Sequence, residues 1–270
     1  MFSIPSADPR SYTMNNPPLV RAVVQIVFPP SLHLVNPQNA AELQDALGDA
    51  FEPKMPAEQQ VGLQISFGAA PGFAQTLTFS HRDGYELAVA PQGVTLAIDE
   101  RYVSRAAFSE VLLPALEAVG RIGRIKTFQR IGVRYINSAP ATVEEFQRWF
   151  KPEFTGWAGS GILPNDSDRT WMLMTQIQRE SDESGVTVGV IRYGYLSQGI
   201  GADVTGAAAA SSPSFVADID LACTTPGPYN ANTLADLYRS INHEIAAFFQ
   251  HTLREEGVEH FSVIQQGPSQ

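Results

Sequence analysis

The order of strand-like and helix-like segments limits the fold more than any other feature of this sequence. Residues 19–28 form a β-branched run that two prolines bring to an end, which predicts a strand. Asn36-Pro37 then opens a helix of about 13 residues. Pro- and Gly-containing turns separate the next four predicted strands, at residues 60–67, 75–80, 85–90 and 94–99. Ser104 caps a second helix, so the first half predicts an antiparallel meander between two helices.

The same order of segments returns in the second half of the chain. Residues 126–137 predict a long strand, and Thr142 with Glu145 three positions later has the spacing of a capping box that opens a helix. Strand-like segments follow at residues 170–180, 186–197 and 215–223. We expect Asn232 or Thr233 to cap the start of the last helix and Gly257 to close its end. Its apolar stripe consists of Leu234, Leu237, Tyr238, Ile241, Ile245, Phe248, Phe249 and Leu253.

Two copies of a strand, helix, meander and long helix predict an α+β fold. In it, curved antiparallel sheets join edge to edge and long helices pack on one face, a tandem duplication that resembles the TATA-box-binding and helix-grip architectures. We expect an irregular arm at residues 1–18, the α+β repeats at 19–122 and 123–262, and a flexible tail at 263–270. Long loops are expected at residues 151–168 and 199–214.

Charge and cysteine content limit the class of protein. The 270 residues include 18 Lys and Arg against 28 Asp and Glu, a formal net charge of −10, which argues against binding to nucleic-acid phosphates. The apolar runs are shorter than the ~18 residues that a membrane span needs. A single cysteine, Cys223, and a first segment without signal-peptide features predict a cytoplasmic protein with no membrane partner.

Charged residues on two of the predicted strands form the first group of candidate site residues. Because side chains alternate along a strand, Arg130 and Arg134 share one side of theirs, and Asp218 and Asp220 share one side of another. Paired guanidinium groups suit an anion, and paired carboxylates suit a hard cation or acid–base chemistry. The four residues also suit a structural network of ion pairs between neighbouring strands, which is the arrangement we favour.

Three further residues complete the candidate binding set: Tyr135 and Asn137, on the other side of the arginine strand, and His243 in the last helix. His243-Glu244 begins a metalloprotease-like pattern, but Ala247 stands where that pattern needs its second histidine. The sequence also has no complete fingerprint for a dinucleotide, a nucleotide phosphate or a serine nucleophile. We therefore expect no cofactor and no bound metal.

Several short segments together resemble a known family. They are Asn16-Pro17-Pro18-Leu19-Val20 before the first strand, residues 130–137 with the pattern R-x-G-x-R-Y-x-N, Asp218-Ile219-Asp220, and Asn242-His243-Glu244 in the last helix. In order and spacing they are similar to a sporadically distributed bacterial family of uncharacterised proteins of about this length. The resemblance implies an accessory, mobile-element or defence-associated protein.

The sequence supports three hypotheses about function. The leading one is a non-enzymatic binding or interaction protein that presents a concave sheet to a protein partner, a ligand or a second copy of itself. The second is a metal-dependent hydrolase that uses the two aspartates and His243 near Arg134. The third is a small-molecule binder whose pocket lies under the last helix, lined by Phe248 and Phe249. We prefer the binding hypothesis to the catalytic one because the sequence lacks a complete set of catalytic residues.

Overall fold

The computed structural model describes residues 12–54, 76–156, 171–178, 185–197 and 212–265. The strand predicted at 60–67 and most of the loop predicted at 199–214 lie outside these ranges. Within them, the helices are α1 (Pro37–Leu47), α2 (Arg105–Ile122), α3 (Val143–Trp149), α4 (Pro152–Thr155), α5 (Ala231–Thr252) and α6 (Glu255–His260). The strands of the first half are β1 (Tyr12–Met14), β2 (Leu19–Val27), β3 (Phe51–Pro53), β4 (Leu77–His81), β5 (Glu86–Ala90) and β6 (Gly93–Ile98). Those of the second half are β7 (Thr127–Phe128), β8 (Arg130–Pro140), β9 (Trp171–Gln178), β10 (Val188–Leu196), β11 (Ser214–Cys223), β12 (Gly227–Pro228) and β13 (Val263–Gln265).

Nine strands form one antiparallel sheet in the order β3-β4-β5-β6-β2-β8-β11-β10-β9. The first five come from the first half of the chain, and the last four come from the second half. In each half the last strand of the meander pairs with the first long strand of that half, β6 with β2 and β11 with β8. β2 and β8 pair at the centre and join the two halves. The predicted α+β fold, a curved antiparallel sheet formed by joining the repeats edge to edge, is confirmed.

The two faces of the sheet have different chemistry because side chains alternate along each strand. The helix face is the one covered by α2 and α5, and Ile131, Val133 and Tyr135 of β8 point into its core. The opposite face carries the intervening residues of the same strand, including Arg130 and Arg134. The antiparallel register continues this division across the whole sheet, since directly paired residues lie on the same face.

Side-chain caps set the beginnings of the helices. The hydroxyl of Ser104 accepts a hydrogen bond from the amide of Ala107 at 3.1 Å, as predicted for the start of α2. The capping box at α3 is also confirmed, because Thr142 and Glu145 exchange side-chain and backbone hydrogen bonds. The predicted start of α5 is wrong by two to three residues. Asn230 is the cap, and its side-chain oxygen accepts from the amide of Thr233 at 3.0 Å.

The predicted end of the last helix is also wrong, because α5 stops at Thr252. Leu253 has an extended backbone and forms a single β-bridge with Phe150, which draws the chain away from the helix axis. A second, short helix, α6, follows, and Gly257 lies inside it. A Cβ atom at Gly257 would lie 2.3 Å from the backbone oxygen of Trp149, so glycine is required there by the close approach of α3.

Residues from both ends of the described chain pair with each other. β1 and β13 form a two-stranded antiparallel sheet with Thr13 opposite Ile264, in segments that local sequence predicts as an irregular arm and a flexible tail. The pairing joins residues roughly the whole chain apart, so no local pattern identifies it. Within the described ranges, no helix combines the length and the apolar character needed to cross a bilayer.

We predict that Gly257→Ala lowers the free energy of unfolding by about 1–3 kcal/mol, because the added methyl group overlaps the Trp149 carbonyl. Chemical denaturation followed by circular dichroism measures the loss. Glu256→Ala is the matched control, since this exposed neighbour in the same helix should change stability by less than about 0.5 kcal/mol. Equal stability of the two variants would contradict the close contact.

Candidate functional site

A network of ion pairs occupies the opposite face of the sheet, and it joins β8, β11 and β10. Arg134 binds Asp218 through two hydrogen bonds, Nε to Oδ1 at 2.7 Å and Nη2 to Oδ2 at 2.8 Å. Arg192 donates to the same carboxylate at 3.0 Å. Asp218 is 1% exposed, so its charge depends on these two guanidinium groups for solvation. The cross-strand pairing predicted from the sequence is present in the structure.

A second pair extends the network toward the centre of the sheet. Nη2 of Arg130 lies 3.5 Å from Oδ1 of Asp220, and Nη1 of the same side chain donates to Gln25 of β2 at 3.3 Å. The guanidinium lies over Gly132, where a Cβ atom would come within 2.4–2.7 Å of it. The missing side chain at Gly132 thus lets Arg130 reach both neighbouring strands.

Asp220 is the less well compensated of the two aspartates. It is 4% exposed, and burial raises the pKa of its carboxyl to about 6, although the charges of Arg130 and Arg134 act in the opposite direction. A carboxyl with this pKa changes charge just below neutral pH. Its proton uptake is therefore coupled to the stability of the sheet.

A cavity of about 390 Å³ lies on the helix face, between the first turn of α2 and the middle of α5. Its apolar wall is formed by Met14, Pro17, Leu19, Val103, Ala106, Ile245, Ala246 and Phe249. Val103 is 82% exposed, which gives the cavity an apolar rim. The register of β2 against β8 slips between Leu19 and Arg21, and Leu19 keeps its place opposite Asn137, beside the cavity.

The polar wall of the same cavity is formed by Tyr102, Ser104, Arg105, Tyr135, Asn137, Asn242 and His243. Tyr102, Tyr135 and Asn242 of this lining form a compact cluster with the fully buried Tyr238. Tyr135 donates its hydroxyl proton to Tyr102 at 2.8 Å, and its oxygen lies 3.3 Å from the hydroxyl of Tyr238. Asn242 donates its side-chain amide to Tyr135 and, at 3.5 Å, to Tyr102. Phe108 stacks on Tyr238 with ring centres 5.1 Å apart, which fixes one side of the cluster.

The phenols of this cluster are neutral at physiological pH. Burial raises the pKa of Tyr135 and of Tyr238 well above the ordinary value of 10.0. Burial also raises the pKa of Tyr102, while hydrogen bonds from its neighbours and the positive charge of Arg105 act against that rise. All three hydroxyls therefore keep their protons and act as hydrogen-bonding groups rather than as bases.

The sheet divides the seven predicted site residues into two groups. Tyr135, Asn137 and His243 line the cavity on the helix face. The other four, Arg130, Arg134, Asp218 and Asp220, form the network on the opposite face. The hydrolase hypothesis requires both aspartates to lie near His243. The structure instead places His243 on one face of the sheet and the aspartates, with Arg134, on the other. Among the described residues, no three His, Cys, Asp or Glu side chains form a group that could hold a metal ion.

Sequence reasoning missed Tyr102, Ser104, Arg105 and Asn242 as cavity residues. Ser104 was identified as a helix cap alone, and Tyr102 lies in the short connection before it. Asn242 did carry a usable signal, because it lies four residues after Tyr238 on the mainly apolar stripe of α5, where it is 6% exposed. A buried amide in such a place needs a polar partner, which is here the tyrosine cluster.

We predict that Asp218→Ala lowers the free energy of unfolding by about 3 kcal/mol or more, because it leaves two guanidinium groups without their shared carboxylate. Urea unfolding measures the loss. Asp236→Ala is the matched control, since Asp236 forms a surface pair with Arg239 whose removal should cost less than about 0.5 kcal/mol. Similar losses in the two variants would show that the buried network does not stabilise the sheet.

The raised pKa of Asp220 predicts that the stability of the protein falls as the pH rises. Its folded-state pKa is above the unfolded value, so its contribution to stability is full below about pH 4 and is lost as the pH rises through about 6. Between pH 5.5 and 7.5, the stability of the natural protein should fall relative to Asp220→Asn by roughly 1 kcal/mol. Urea unfolding of both proteins at the two pH values measures this difference, and a constant difference would contradict the raised pKa.

Comparison with known proteins does not assign a function to this cavity. No model of a known protein family matches the chain, and neither does any curated protein.

Proposed function

We propose that this protein binds a small amphipathic molecule in the cavity between α2 and α5. The observation that carries the proposal is one cavity whose lining contains both apolar side chains and hydrogen-bonding groups. At about 390 Å³, the cavity falls in the usual range for small-molecule sites, about 300–1,000 Å³. The apolar side chains would remove apolar groups of a ligand from water, and the hydrogen-bonding groups would orient its polar groups.

The polar wall supports a binding role because its geometry is set before any ligand arrives. The hydroxyl of Tyr135 takes part in three hydrogen bonds, with Tyr102, Tyr238 and Asn242. Such a network resists rearrangement, since moving one member leaves a buried polar group without its partner. A preorganised wall of this kind lowers the entropic cost of binding.

The position of the cavity matches the third sequence hypothesis in part. That hypothesis placed a pocket under the last helix, with Phe248 and Phe249 in its lining. Phe249 lines the cavity, whereas Phe248 is buried beside Phe154 with ring centres 6.5 Å apart. The sheet-face hypothesis stays a prediction, and the face it concerns holds charged side chains that are largely paired with one another.

Three of the four segments behind the family resemblance line the cavity and support it as the site, whereas Asp218 and Asp220 of the fourth lie on the opposite face. Pro17 and Leu19 come from the opening segment, Tyr135 and Asn137 from the central strand, and Asn242-His243 from the last helix. These segments are far apart in the chain and meet at one place in the fold. Membership of the sporadically distributed family, and the accessory or defence role that it implies, remain part of this proposal.

We predict that the neutral fluorescent probe N-phenyl-1-naphthylamine binds saturably to the protein, because the apolar wall accepts a ring system of that size. Ala246→Phe places an aromatic ring in the cavity and should weaken binding by about tenfold or more. Asn232→Phe adds the same ring to an exposed position of α5 and should bind as the natural protein does.

Fluorescence titration measures these affinities, and circular dichroism confirms that each variant is folded. Absence of saturable binding by the natural protein would contradict the proposal. Unchanged binding by a folded Ala246→Phe variant would also contradict it, because the probe would then be bound elsewhere.

A further inference from the structure

We infer that the ligand is an uncharged molecule whose polar group donates hydrogen bonds to the side-chain oxygens of Asn137 and Asn242. The inference rests on the proposed function, and it adds the chemical class of the ligand. It follows from the directions of the hydrogen bonds in the cavity lining and from the charges of the residues that form it.

The tyrosine cluster uses its own protons internally. Tyr102, Tyr135 and Tyr238 are hydrogen-bonded to one another. Asn242 adds hydrogen bonds to Tyr102 and Tyr135. The three phenol protons and the two amide protons of Asn242 supply these five hydrogen bonds, one proton to each. The phenols therefore hold the cluster together and leave the interaction with a ligand to other groups.

The same count fixes the orientation of the Asn242 amide. With its oxygen toward the phenols, the cluster would have only three protons for five contacts, so the NH₂ group faces them. The oxygen lies on the other branch of the amide. No described residue donates to this oxygen, and it is not among the fully buried polar atoms, so it opens into the cavity that Asn242 lines.

Asn137 presents a second oxygen to the same cavity. Its Nδ2 donates to the backbone oxygen of Ala217 at 3.3 Å, and this contact fixes the amide because Oδ1 in that place would meet another acceptor. Oδ1 of Asn137 accepts from no described residue and is also not fully buried. The side chain as a whole is 6% exposed, so a carbonyl oxygen in a largely buried place has its open side toward the cavity.

The two amides lie in the same part of the cavity. Asn137 follows Tyr135 by two positions on the same face of β8, a distance of roughly 7 Å along the strand. Asn242 reaches the hydroxyl of Tyr135 from α5. A ligand that fills this part of the cavity displaces water from both oxygens, and it avoids the cost of leaving them unpaired only if it brings donors of its own.

The charges of the lining favour an uncharged donor over an ammonium group. None of the described residues that line the cavity is Asp or Glu, so a cation would lack a carboxylate partner there. Arg105 belongs to the lining and would repel it. An amide N–H or a hydroxyl carries no such cost. The side chains of Leu19, Ile245 and Phe249 suit the hydrocarbon part of such a molecule.

The test compares two ligands of equal size, 4-phenylbutanamide and 5-phenylpentan-2-one, which differ only in the exchange of an NH₂ group for a methyl group. Both carry the same carbonyl acceptor, so the difference in affinity reports the donated hydrogen bonds. Isothermal titration calorimetry of the natural protein should show the amide binding about tenfold more tightly, although the ketone is the more apolar compound.

Asn137→Leu keeps the approximate size of the side chain and removes the acceptor, so it should lower the preference for the amide by about fivefold. Asn232→Leu makes the same change at an exposed position of α5 and is the matched control, with an unchanged preference. Circular dichroism confirms that each variant is folded. The comparison in the natural protein decides the question even if Asn137→Leu does not fold.

Equal affinity for the amide and the ketone, or tighter binding of the ketone, would overturn the inference. An unaltered preference in a folded Asn137→Leu variant, or no binding of the amide at millimolar concentration, would overturn it as well. The naphthylamine probe is titrated separately, so the inference can fail while the proposed function stands.

Discussion

The pairing of β2 with β8 is the constraint on which the rest of the structure depends. It joins the first long strands of the two halves and makes one sheet of nine strands from two meanders. Because the register of an antiparallel ladder decides which residues share a face, this pairing also decides what lies above and below the sheet. Tyr135 and Asn137 lie on the helix face, beside the cavity. Arg130 and Arg134 lie on the opposite face.

The ion-pair network makes that register costly to change. A slip of one residue would turn Asp218 and Asp220 toward the apolar core under α5, where no guanidinium reaches them. In the observed register, each arginine of β8 reaches an aspartate of β11, and Gly132 leaves the space that Arg130 needs. We infer that the network specifies the register, since a buried ion pair often adds no net stability compared with an apolar replacement.

The cavity arises because the two long helices do not fill the helix face near the start of α2. Phe108 and Tyr238 pack closely where α2 and α5 meet, and one turn further along α5 the wall becomes polar at Asn242. The tyrosine cluster satisfies that amide, so a polar surface can persist beside an apolar core. Such a boundary between a filled core and a polar wall is where small-molecule sites commonly form.

Much of the secondary structure and the sheet class could be predicted from the sequence. Local physical chemistry explains this success: the β-branched runs specify strands, the caps at Ser104 and Thr142 specify helix starts, and alternation along β8 places its arginines on one side. The pairing of arginines with aspartates was also predictable as a type of interaction, since buried charges need partners. The same local rules misplaced both ends of α5. The start was missed although the cap at Asn230 is a local contact with Thr233, whereas the end was missed because Leu253 bridges to Phe150, which is distant in sequence.

The tertiary structure alone decided which side of the sheet each candidate residue faces and what surrounds it there. Tyr102, Tyr135 and Asn242 are separated by 33 to 140 positions, and their hydrogen bonds exist only after α2, β8 and α5 have packed together. The separation of His243 from the two aspartates has the same origin, since a sheet lies between them. A sequence specifies its elements through short-range preferences, whereas a cavity is the space that remains after distant elements have packed, and no single segment of the chain contains it.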